Sequence, residues 1–265
     1  MFRRILFPLD LSELSRKGLA WTAGNVADPS SEIVLVHVIE PVGGIDTGPM
    51  IDKAEKALDP IEAELHAMGI RSRSFVMTGD PFEILPQVAH SERCSISTVF
   101  AERDDVVVPS LRLMAIPHLV YKSAGGAMPP PDPFRHIAVA TDLSPFRTDP
   151  VFRELRKLLS DRDVPMTLLH SVSMDDTSTS TELFQAAASA LEEVRKTIEK
   201  WNPGTTAEIL GGEPEVEILR SVKTIRPGIL VVGLSVHGHL WELIVGSTGE
   251  TIIEQAPCPV LVIPS

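Results

Sequence analysis

Three blocks of this chain occur twice, in the same order and at an almost constant separation. Arg4-Ile5-Leu6-Phe7-Pro8-Leu9-Asp10-Leu11-Ser12 returns as His136-Ile137-Ala138-Val139-Ala140-Thr141-Asp142-Leu143-Ser144, an offset of 132. Ile33-Val34-Leu35-Val36-His37 returns as Met166-Thr167-Leu168-Leu169-His170 at 133, and Glu83-Ile84-Leu85 returns as Glu217-Ile218-Leu219 at 134. A period this long describes a duplicated domain, since solenoid repeats are far shorter. The 265 residues therefore divide into two domains, 1–122 and 134–265. Residues 123–133 join them, flexible at their glycines and stiff at their prolines.

Within each half, short apolar runs alternate with helical stripes. In the second half, residues 136–141, 165–170, 207–210, 229–233 and 260–263 read as strands. Residues 152–159 have helical character, and a last helix is expected over 247–255. Leu183, Ala187, Leu191, Val194, Ile198 and Trp201 recur at spacings of three and four, as do Val216, Leu219, Val222 and Ile225, which Pro227-Gly228 end. Such alternation predicts an α/β fold with right-handed crossovers and a parallel sheet covered on both faces. Ligands of these sheets sit at the carboxyl ends of the strands, where the strand order reverses. Asp142, Ser171 to Val172 and the segment after Gly233 lie at such ends.

Composition narrows the partners. No stretch approaches the ~20 uninterrupted apolar residues of a membrane span, and Asp10 halts the N-terminal apolar run too early for a secretory signal. The reading is a cytoplasmic protein without a membrane partner. A net charge of -12 and a pI near 5.1 oppose binding to a nucleic-acid backbone, for no basic stripe compensates. A single nucleotide is still compatible, because neutral N–H groups and a metal ion can hold its phosphates. Cys94 and Cys258 stand far apart in sequence and outside any CxxC arrangement, so reduced thiols are expected.

The most specific motif lies near the end. Val231-Val232-Gly233 closes an apolar strand, Gly246-Ser247 opens a helix, and Ala256-Pro257-Cys258-Pro259-Val260-Leu261-Val262-Ile263-Pro264 follows. A strand, a turn and a helix start with free N–H groups make a place for a phosphate chain. After Phe100 the first half reads Ala-Glu-Arg-Asp-Asp-Val-Val-Val-Pro-Ser, with no Gly–Ser pair. Pairing Pro117 with Pro257 or Pro259 raises the offset to 140 or 142, so the phosphate loop is the piece missing from the first half. Asp10 is then expected to be a structural remnant.

These motifs resemble the universal stress protein family in a tandem two-domain form, over nearly the whole chain. The resemblance implies two adenine-nucleotide-hydrolase-like (Rossmann-like) domains, each a five-stranded parallel sheet with helices on both faces. It further implies that they pack as a pseudo-dimer through residues 118–121 and 260–263, with a homodimer as a further step. Nucleotide-binding members carry Gly, two residues, Gly, nine residues, then Gly with Ser or Thr. Here the positions are Gly233, Val236, Gly246 and Ser247, and Val236 departs from the pattern. A β-branched residue at positive φ costs about 1–3 kcal/mol, or about one to two powers of ten in affinity. Gly238 offers an alternative source of flexibility that would make the cost small.

By resemblance, Asp142 holds the ribose or adenine side of ATP, with Mg2+ as its companion. The backbone near Ala140, Thr141 and Ser171 frames the base, and Gly246, Ser247 and Thr248 hold phosphates. Simpler roles compete: Asp142-Leu143-Ser144-Pro145 reads as a helix start with Ser144 as N-cap and Pro145 at N1, and Ser247 with Glu250 as a capping box. His237-Gly238-His239 lacks a third metal ligand, so no metal site is assigned. His37 and His170 are read as structural. No catalytic residue is assigned, because there is neither a positioned base nor a Walker lysine, and slow ATP hydrolysis is the most the motifs allow. The leading class is a stress-response regulator binding an adenine nucleotide in its second domain. A scaffold of the same fold acting through protein contacts is the alternative, and metal-assisted hydrolysis by Asp142 with His237 and His239 is a third.

Overall fold

The computed structural model describes residues 2–41, 43, 46–102, 113–159, 162–173, 180–234 and 247–264. The chain forms two compact units, Met1–Met128 and Pro129–Ser265. Their boundary falls in the Gly/Pro stretch, where Gly125 and Gly126 hold left-handed backbone at φ 64° and 72°. Glycine adopts that conformation without the Cβ clash that other residues meet.

The first unit runs β1 (Arg4–Pro8), α1 (Glu13–Asn25), β2 (Glu32–Ile39), α2 (Gly48–Ala67), β3 (Arg71–Thr78), α3 (Pro81–Ser91), β4 (Ile96–Glu102) and β5 (His118–Ser123). Its strands lie in the order β3-β2-β1-β4-β5, all parallel. The second unit runs β6 (Ile137–Ala140), α4 (Pro145–Leu158), β7 (Met166–Val172), α5 (Ser180–Glu199), β8 (Thr206–Gly211), α6 (Pro214–Ile225), β9 (Ile229–Leu234), α7 (Ser247–Gln255) and β10 (Val260–Pro264). The order β8-β7-β6-β9-β10, again parallel, repeats that of the first unit. No helix among the described residues is long and apolar enough to cross a membrane.

Two helices differ in extent from their apolar stripes. Helix α4 starts at Pro145, seven residues before residue 152, because a proline's fixed φ suits the first turn, where its missing N–H has no partner to lose. Trp201 falls beyond the end of α5, in a turn whose N–H donates to the Ile198 carbonyl.

Alternation along the strands sends successive side chains to opposite faces. In the first unit Leu6, Val34 and Val36 meet Leu85, Val88 and Ala89 of α3, together with Cys94 and Met114. Phe7, on the other face of β1, stacks on Phe100, which also touches Trp21 of α1. The helices therefore cover both faces. Each fully buried aliphatic or aromatic side chain, such as Ile5, Phe7, Ile33 and Leu35, contributes about 1.5–3 kcal/mol by leaving water.

At the amino ends of β1 to β3, Glu32 accepts from Arg4 Nε at 2.9 Å and from Arg73 Nε at 2.8 Å. Arg73 also reaches Glu92 at 3.2 Å. One carboxylate held by two strands on either side fixes strand register where few apolar contacts remain. In the second unit Gly228 plays a comparable part: its N–H donates to the His136 carbonyl at 2.8 Å, and a Cβ there would lie 2.5 Å from the Pro133 carbonyl oxygen.

Both cysteines are free and buried, and desolvation pushes each thiol up to about 12. A thiol titrating that high stays protonated and unreactive at neutral pH. Iodoacetamide at pH 8 should leave Cys94 and Cys258 unlabelled in the native chain and label both in urea, as read by intact mass. Gly228→Ala, which drives a methyl into backbone, should cost about 1–3 kcal/mol in urea denaturation of the second unit.

Candidate functional site

The order of strands in the second unit reverses between β6 and β9, so a crevice opens beyond their carboxyl ends. Ala140 pairs with Val232, and the same register carried one residue on sets Gly233 beside Thr141. The site is built around that junction.

The chain leaves β6 through a bonded turn. Thr141 N–H donates to the Leu169 carbonyl at 3.0 Å, and the Thr141 carbonyl accepts from His170 Nδ1 at 2.8 Å. Nδ1 must carry the proton to donate, which fixes the tautomer of His170. Thr141 Oγ1 accepts from Leu143 N–H at 3.0 Å and lies 3.0 Å from Thr148 Oγ1 in α4. Asp142 Oδ1 accepts from Ser144 N–H at 2.9 Å, and Leu143 between them is held at φ 60°. Left-handed backbone at a leucine is costly, and here the two side-chain bonds flanking it supply the compensation. Pro145 occupies N1 of α4 as expected, but Ser144, although at the N-cap position, makes no side-chain capping bond. The turn is held by Asp142 and Thr141 instead.

The first unit repeats this turn. Leu9 N–H donates to the Val36 carbonyl at 2.9 Å, His37 Nδ1 donates to the Leu9 carbonyl at 2.7 Å, Asp10 Oδ1 accepts from Ser12 N–H at 2.9 Å, and Leu11 sits at φ 65°. Here Ser12 does cap its helix, accepting from Ser15 N–H at 3.1 Å. The structural reading of His37 and His170 accords with these bonds, since each ring anchors the carbonyl that ends the first strand.

At the neighbouring strand end, Ser171 Oγ donates to the Gly212 carbonyl at 2.8 Å, and Gly212 N–H donates to the Val172 carbonyl at 3.0 Å. Gly212 needs φ 138°, which excludes most side chains. These bonds tie the β8–α6 turn to β7 and leave the backbone after Ser171 along the crevice wall. Ala140, Thr141, Asp142, Ser171 and Gly233 thus lie at or just beyond the carboxyl ends of the adjacent strands β6, β7 and β9. Ser247 and Thr248 begin α7. Val236, Gly246, His237 and His239 lie outside the described residues. The sequence did not single out Thr148, whose hydroxyl is nearly buried beside Thr141. Its one signal was a polar residue on the inward side of α4.

The model of the universal stress protein family matches residues 1–96 and 133–264. This chain belongs to the universal stress protein family. A universal stress protein of Methanocaldococcus jannaschii is 34% identical over 74 residues, which are 28% of this chain and 44% of that relative, so the match spans less than half of the relative's length. Among solved structures, a universal stress protein from Archaeoglobus fulgidus DSM 4304 has a TM-score of 0.74 at 24% identity, over 98% of this chain and 96% of the other. A putative universal stress protein from Pseudomonas aeruginosa UCBPP-PA14 gives 0.70 at 16% identity, over 99% and 93%. The universal stress protein of Archaeoglobus fulgidus solved in complex with dAMP is 22% identical with a TM-score of 0.39, over 49% of this chain and 98% of the other.

Removing the Thr141 hydroxyl while keeping its shape leaves Leu143 N–H without its acceptor. Thr141→Val should therefore cost about 1–2 kcal/mol in urea denaturation, whereas a change within about 0.3 kcal/mol would show that the turn does not rest on that bond.

Proposed function

We propose that this universal stress protein binds ATP or a related adenine nucleotide at the carboxyl ends of β6, β7 and β9, and that the nucleotide regulates it in a stress response. The observation that carries the reading is the junction of Thr141 and Gly233. A glycine stands where the strand order reverses, so position 233 puts no side chain into the crevice beside a turn that carries a carboxylate. Asp142 accepts from Ser144 N–H, and a carboxylate at this strand end suits a ribose hydroxyl. The backbone of Ala140, Thr141 and Ser171 is suited to the base. Gly246, Ser247 and Thr248 belong at the phosphates, which the N-terminus of α7 favours through its free N–H groups and dipole.

Among the described residues, no three or more His, Cys, Asp or Glu side chains gather to hold a metal. Mg2+ enters the reading as the companion of the phosphates. The reading extends to pairing of the two units, with self-association of the chain as a further step.

Isothermal titration of the full chain with ATP and Mg2+ tests the binding. The expected outcome is saturable heat, weakened at least tenfold in Asp142→Ala and strengthened by about one to two powers of ten in Val236→Gly. Absence of heat and of any thermal shift at millimolar ATP, in both the natural chain and Val236→Gly, would favour the scaffold reading instead.

A further inference from the structure

The two units repeat each other at the carboxyl ends of their first strands but not at the neighbouring strand. Ile5 pairs with Ile96 in the first unit, and Ile137 with Ile229 in the second. Four residues on, Phe100 pairs with Tyr121, and its counterpart Gly233 pairs with Ile263. Strand register, counted from the repeated first strands, thus sets a phenylalanine where the second unit has the glycine of its crevice.

The Phe100 ring is packed on three sides by aromatic groups. Its centroid lies 6.2 Å from Phe7, 5.6 Å from Trp21 and 6.0 Å from Tyr121. Trp21 and Tyr121 are buried and Phe7 is fully so, while Phe100 itself is half-buried, as a plug at an opening is. The helix above it has yielded room: a Cβ at Gly18 of α1 would lie 2.3 Å from Phe100 Cγ and 2.7 Å from its Cβ. Close packing demands this kind of fit, in which bulk on the strand is accommodated by a glycine on the helix facing it.

We infer that Phe100 closes the switch-point crevice of the N-terminal unit, so that each chain offers one nucleoside site and not two. The count of one rests on the nucleotide reading of the second unit; the closure does not. Adenosine is the probe of choice, because it needs no phosphate loop and its flat base matches a slot rimmed by Phe7, Trp21 and Tyr121.

Equilibrium dialysis of the full chain at saturating adenosine should find one equivalent bound, and Phe100→Gly should find two. Two equivalents in the natural chain would overturn the closure, as would a Phe100→Gly chain that binds no more than the natural one. No adenosine on the natural chain but one equivalent on Phe100→Gly would uphold the closure and refute the nucleotide reading of the second unit. A thermal cycle checks the packing separately. Gly18→Ala should lower the unfolding midpoint by about 5–10 °C in the natural chain and by little or nothing in Phe100→Gly, where the obstructing atoms are gone. An equal loss in both backgrounds, or no loss in the natural one, would overturn the contact. The natural-chain count and the Gly18→Ala loss need no Phe100 variant, so the test survives if that variant fails to fold.

Discussion

The carbonyl that ends the first strand of each unit is held by a histidine from the second strand, and the crevice depends on that bond. His170 fixes the Thr141 carbonyl and His37 fixes the Leu9 carbonyl. With the strand end pinned, the aspartate that follows can turn back on the serine two residues later and force a leucine into left-handed backbone. The carboxylate is thereby fixed beside the end of the first strand. A side chain already held by the backbone loses less entropy on any later contact than a freely rotating one.

Neither the histidine nor the aspartate distinguishes the two units, because both turns are built alike. The difference lies one strand away, at Gly233 and Phe100, and in the short connection between β4 and β5. A duplicated fold can retain a costly turn for purely structural reasons. The turn still caps the following helix and still ties the first strand to the second. Asp10 in the first unit makes the same turn bond as Asp142 in the second, so retention of the turn in both units is accounted for by folding.

Much of this was legible in the residues. Repeated blocks gave the two units, and continuous apolar runs broken by helical stripes gave parallel sheets, because period and run length report burial directly. Helix α7 and strand β8 fall at or within one residue of their expected ends. Less was legible where local signals compete. The start of α4 was legible from Ser144-Pro145 as a cap and first turn, but not from the apolar stripe, which begins only at residue 152. The histidines were readable as structural but not as donors to a particular carbonyl, since that bond joins residues 29 apart in sequence. The left-handed Leu143 left no trace at all, for leucine is among the last residues a turn would suggest. Phe100 read simply as the end of a strand, and its role becomes visible once register aligns it with Gly233.

One open crevice in a two-unit chain is the central claim, and residue-resolved amide shifts test it most directly. In a 1H–15N titration with ATP and Mg2+, the amides of Thr141, Asp142, Ser171 and Gly233 should shift in saturable fashion. Those of Asp10, Leu11, His37 and Phe100 should stay in place. Matching shifts in both sets would contradict the asymmetry, and stationary amides throughout would contradict a nucleotide role for this fold.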